Sequence, residues 1–169
     1  VVLVDCGVRN STINALTDAG LSVIKVPYNT DFNNIECDAV VISDGPGNPD
    51  QAPETVENIK RALEAKRPIL ALGMGGLLLA KAAGANVYKL KFGHHSANQP
   101  VRIVGTNRCL ITFQHHAYAV DADSLSNEWV VSYVNLNDDS VEGIKHSSLP
   151  YFSAQFEDKY IFDEFIKAL

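Results

Sequence analysis

The chain has 169 residues, 46% hydrophobic and 20% charged, with 14 basic against 20 acidic residues for a net charge of −6. This is the composition of a folded chain of about one domain, and it excludes wholesale disorder. No Lys/Arg cluster supports a nucleic-acid or anionic-membrane surface, and the longest apolar stretch, Ile69 to Ala80, is too short to cross a bilayer and carries three glycines.

Val1 to Asp5 is an apolar run ending in an acid, the pattern of a buried parallel strand. A loop follows, then a helix to Ala19, with Asn10 or Ser11 as its expected cap and Gly20 as its stop. Leu21–Pro27 and Ala39–Ser43 are the next strands. Asp44-Gly-Pro-Gly-Asn-Pro49 fits neither helix nor strand. Glu54–Lys66 reads as an amphipathic helix, with Val56, Ile59 and Leu63 on one face and acids early, bases late. Pro68–Leu72 is a fourth strand, and Gly73–Gly76 a sharp turn before a short buried helix from Leu77 to Ala83. This alternation is the signature of an open α/β sheet with helices on both faces.

The second half changes character. Val101–Val104, Cys109–Phe113, Trp129–Asn135, Val141–Lys145 and Tyr151–Gln155 read as closely spaced strands, with a hairpin turn at Asn137–Asp139. Phe162, Phe165, Ile166 and Leu169 mark a closing amphipathic helix. Asp121, Asp123, Asp138 and Asp139 read as solvated loop acids. Cys6, Cys37 and Cys109 are odd in number and widely spaced, so reduced thiols in a cytoplasmic setting are expected in place of a disulfide framework or zinc ribbon.

In open α/β sheets the working site lies at the carboxyl ends of the strands. There the sequence places Asp44–Pro49, Gly73–Gly76 and the segment after Gln155. Leu72–Leu77 has the strand–turn–helix order of a nucleophile elbow, where a strained apex residue attacks and the following N–H groups stabilise an oxyanion. The apex here is Gly73, which has no side chain.

Several segments resemble the class I glutamine amidotransferase domain of the carbamoyl-phosphate synthetase small subunit. They include Asp5-Cys-Gly-Val-Arg-Asn10, Ser43-Asp-Gly-Pro-Gly-Asn-Pro49, Tyr88-Lys-Leu-Lys-Phe-Gly-His94, Val134-Asn-Leu-Asn-Asp138, Val141-Glu-Gly-Ile144 and Phe152-Ser-Ala-Gln-Phe156. The resemblance runs almost end to end. It implies a flavodoxin-like open, mostly parallel sheet with flanking helices and a strand-rich second half, formed by residues 1–169 as one domain. The family's preceding N-terminal small-subunit domain is absent from this sequence, in keeping with a chain that begins on Val1 without a methionine.

The family hydrolyses glutamine with a cysteine on the elbow and a histidine held by a glutamate, and passes ammonia to a separate synthetase chain. Matched position by position, nucleophile, base and orienter are here Gly73, Glu157 and Lys159. The residues usual after this motif are missing, because the closing helix follows almost at once. Leu77 replaces a substrate-holding glutamine, and the substrate loop reads Gln114-His115-His116-Ala117-Tyr118. Gly45, Gly47 and Met74 remain of the oxyanion and substrate loop, open to a small anion or carbonyl, or simply turn residues.

The expectation is therefore a degenerate, glutaminase-inactive domain in the carbamoyl-phosphate system of pyrimidine and arginine synthesis. It would need no cofactor and would dock on a carbamoyl-phosphate synthetase large subunit or fused synthetase domain in the cytoplasm. Two alternatives stay open. One is a metal- or acid/base-dependent hydrolase using His95, His115 and Glu157. Adjacent histidines on a strand face opposite ways, so one from each pair would have to converge. The other is a sensor of glutamine or an analogue.

Overall fold

A computed structural model describes residues 1–169. Nine strands form one sheet in the order β2-β1-β3-β4-β9-β8-β6-β5-β7. The first five of these, β2 (Ile24–Pro27), β1 (Val2–Asp5), β3 (Val40–Ile42), β4 (Ile69–Leu72) and β9 (Tyr151–Ala154), are parallel. Their order is that of flavodoxin-like sheets. The others are β5 (Val87–Ile103), β6 (Cys109–Val120), β7 (Trp129–Asn135) and β8 (Val141–His146), and they pair antiparallel.

Strand periodicity divides the core in two. Val2 and Val4, Val40 and Ile42, and Ile69 and Ala71 point to one face, where α2 (Pro53–Glu64) and α3 (Met74–Ala82) cover them. Leu3, Val41, Leu70 and Leu72 point to the other, under α1 (Asn10–Asp18) and α4 (Lys159–Ile166). Strands buried on both faces must be apolar at every position, which is why they read as continuous hydrophobic runs.

Three local expectations are corrected. The cap of α1 is Arg9, without a side-chain hydrogen bond; the hydroxyls of Ser11 and Thr12 turn to Glu157 instead. Helix α3 starts at Met74, directly after the apex, so the turn and the helix are continuous. The largest difference is the β5–β6 hairpin. The sequence pattern predicts strands only at 101–104 and 109–113, but β5 runs back to Val87 and β6 on to Val120. Irregular pairing between Lys89 and His94, and between Ser96 and Gln99, breaks the period of two. Gly93, Asn98 and Pro100 then make the stretch read as loop.

Candidate functional site

The elbow is built as the sequence order suggests. Gly73 follows β4 with φ 50° and ψ −117°, a conformation that strains any residue with a Cβ. Its N–H donates to Ala154 O at 2.8 Å, tying the apex to β9. Above it lies the Asp44–Pro49 loop at the end of β3.

What occupies the space over Gly73 is the side chain of Asp44. Its Oδ1 accepts the N–H of Gly45 at 2.8 Å and the N–H of Met74 at 3.0 Å. These two donors converge where an oxyanion would be held at an acyl-transfer elbow. Its Oδ2 takes an Arg9 guanidinium nitrogen at 2.8 Å, forming an ion pair. A Cβ built on Gly73 would fall within the Asp44 carboxyl group. These two N–H donors are thus satisfied internally by a carboxylate whose charge Arg9 balances.

Around this point is a recess of about 170 Å³ whose lining includes Asp44, Gly45, Gly47, Met74, Leu77, His95 and the segment from His115 to Tyr118. That is below the roughly 300–1,000 Å³ usual for small-molecule pockets. Leu77 is buried beneath it. All the residues expected of the oxyanion and substrate loop therefore share one recess.

Glu157 and Lys159 do not join them. The Glu157 carboxylate accepts Ser11 Oγ at 2.8 Å and Thr12 Oγ1 at 2.6 Å, in the first turn of α1. It faces a separate groove between α1 and α4 that none of the histidines lines. Lys159 opens α4, 83% exposed, and pairs with Asp163. No orienting contact runs from Lys159 to Glu157, and Glu157 is not a third ligand beside His95 and His115.

Cys6 lies close by, in a neighbouring recess with Tyr28, Pro46 and Met74. Burial, then the charges of Asp5 and Asp44, push its thiol up to about 12. A thiol that stays protonated at neutral pH is a poor nucleophile.

The hairpin carries two cross-strand histidine pairs. His94 lies opposite His116 on the buried face, and His95 opposite His115 on the exposed face. His94 Nδ1 is 2.8 Å from Glu142 Oε1, and His94 Nε2 is 2.9 Å from Asp138 Oδ2. His116 Nε2 is 3.2 Å from Glu142 Oε2, while its Nδ1 donates to Tyr118 O at 2.9 Å. Glu142 itself is fully buried.

The hydrogen bond to Glu142 is the main cause that raises the His94 pKa, to about 9, against the opposing effect of burial. Burial by itself would raise the pKa of Glu142, but hydrogen bonds from His116 and His94 outweigh it and leave the carboxylate below its ordinary value. Asp138 also lies low. Desolvation pushes it up, but its bonds with Ser140 and His94 prevail. Asp138 is the exposed turn acid expected, and it also partners His94 at the edge of the network. His94, His116 and Glu142 lie close enough to enclose a metal ion. Both His94 nitrogens face carboxylates, which favours the charged form of the ring.

Neither the role of Asp44 nor the Glu142 network is evident from the sequence pattern alone. A signal for Glu142 was available: an acid in the middle of the Val141–Ile144 run must be partnered if that run is buried.

The profile of the glutamine amidotransferase class-I family matches residues 2–157. The chain belongs to that family. It is 43% identical over 178 residues to the carbamoyl phosphate synthase small chain of Methanocaldococcus jannaschii, covering 98% of this chain and 50% of that protein. It is 38% identical over 180 residues to the human mitochondrial carbamoyl-phosphate synthase [ammonia], covering all of this chain and 12% of that one. The chain thus spans about half the length of the small chains it matches. A solved structure of a glutamine amidotransferase from Thermotoga maritima shares the fold with a TM-score of 0.76 at 19% identity, over 99% of this chain and 80% of that one. No helix is long and apolar enough to cross a membrane.

Proposed function

We propose that this amidotransferase-family chain is a non-hydrolytic domain that serves as a structural or regulatory partner of a carbamoyl-phosphate synthetase using free ammonia. The observation that carries the reading is Asp44. Its carboxylate takes the two converging N–H groups and fills the space over a residue that has no side chain. A glutamine carbonyl would have to expel an ion-paired carboxylate to reach those donors, and the thiol nearest them, Cys6, stays protonated at neutral pH. Glu157, which stands at the family's base position, is held by two hydroxyls in another groove and does not reach the elbow.

The choice of partner is supported by the relatives, which are small chains of carbamoyl phosphate synthase or, in the human case, a longer synthase whose name specifies ammonia. A cytoplasmic location accords with three free cysteines.

Two measurements test the reading. Purified protein, alone and mixed with a carbamoyl-phosphate synthetase large subunit, is expected to release no ammonia from glutamine above the blank. Sustained release in either case overturns the silent-domain half. The same mixture is expected to co-elute as a complex on size exclusion, and separate elution at micromolar concentration overturns the docking half. The sensor alternative is weakened by the size of the recess and by Leu77 and Ala117, which offer a carboxamide no hydrogen bonds.

A further inference from the structure

His95 and His115 sit directly opposite each other on β5 and β6, both exposed, at the mouth of the recess beside Asp44. Their ring centroids are 4.5 Å apart with planes at 64°, and the two Nδ1 atoms face each other at 3.2 Å. Exposed imidazoles can satisfy every nitrogen with water. Turning two like atoms together gains at most one N–H···N bond. The same separation has another meaning. With metal–nitrogen bonds of about 2.0 Å, two ligands of one tetrahedral ion lie about 3.3 Å apart. Adjacent positions of a square-planar ion would lie nearer, at about 2.8 Å.

The local structure favours this pose. The His95 ring lies over Gly93, where a Cβ would overlap Nε2, so the missing side chain at 93 gives the ring its room. Neither ring is drawn into the buried network, because the alternation of the strand sends His94 and His116 to the other face. The remaining directions from the pair open on two recesses, both of which His115 lines. Both oxygens of Asp44 are engaged with N–H groups and Arg9, so water completes the coordination.

We propose that His95 and His115 bind one tetrahedral divalent ion of the zinc type through their Nδ1 atoms. This inference does not depend on the silent-domain reading, since it needs neither glutamine nor a partner. The test is calorimetric titration of tag-free, metal-stripped protein with zinc chloride, with cobalt(II) as a spectroscopic substitute. The expected result is one saturable site per chain, and visible cobalt bands typical of four-coordination. His95→Ala and His115→Ala should each weaken binding by at least about tenfold. His146→Ala, a histidine on a different surface, should leave it unchanged. The histidines of the pair are exposed, so melting temperatures of the two variants should match the parent and separate lost ligation from misfolding. Absence of saturable zinc binding overturns the proposal. So does binding that persists in the His95→Ala/His115→Ala double variant, which would move the ion to another site such as the buried His94–His116–Glu142 trio.

Discussion

The two histidine pairs of the β5–β6 hairpin are one residue apart and share the same cross-strand register, yet they meet opposite physical demands. His94 and His116 are turned inward, where a buried carboxylate must be neutralised. They answer to Glu142, and His94 is held as a cation between two acids. His95 and His115 are turned outward, where no acid pairs with them, and their Nδ1 atoms face each other. The pair of residue types is the same. The face of the sheet decides whether it becomes a structural charge network or a site open to a ligand.

The largest effect that would sharpen this contrast is on the inward pair. Glu142→Ala leaves imidazoles buried without their counter-charge, and stability should fall by about 3–5 kcal/mol. For a chain of this size that lowers the melting temperature on the order of 10 °C, read by calorimetry. A fall smaller than about 1 kcal/mol would mean that the network contributes little.

The same network should be visible in pH dependence. The folded-state pKa of His94 is raised from 6.5 to about 9. Its contribution is therefore complete below 6.5 and is lost as pH rises through about 9. Glu142 and Asp138 are lowered, so theirs is present above the ordinary carboxylate range and lost as pH falls through their folded values. Urea midpoints measured across the alkaline range should fall in the parent protein, and His94→Gln should flatten that slope. The double variant His95→Ala/His115→Ala should keep it, which separates the two faces.

At the elbow, Gly73→Cys should cost about 1–3 kcal/mol, because a Cβ at positive φ is strained and meets Asp44. It should release no ammonia from glutamine. Adding Asp44→Asn should recover part of the stability and still give no turnover, since Glu157 remains in its own groove. Turnover by the single variant would show that a base had been misplaced. The smallest effect belongs to Lys159→Ala. Its exposed pair with Asp163 one helical turn away should be worth about 0.5 kcal/mol or less.

Much of the parallel half was legible because its information is local. Runs such as Val40-Val-Ile42 and Ile69-Leu-Ala-Leu72 are apolar at every position only because both faces are covered. The elbow was visible from Gly73 and its neighbours, and glycine at the apex does adopt a positive φ. The long hairpin was not legible, since bulges erase the alternation on which strand recognition rests.

What the sequence by itself determined is the order of parallel strands and helices, the position of the elbow and the residue types gathered on its loops. These follow from hydrophobic period and turn chemistry, which act over a few neighbouring residues. What only the tertiary structure decided is partnership: Asp44 over Gly73, Glu157 with Ser11 and Thr12, and which histidine faces which. Such contacts join residues from 20 to 146 positions apart. They are selected by competition among burial, charge and available donors in the folded chain, and no short stretch of sequence contains the terms of that competition.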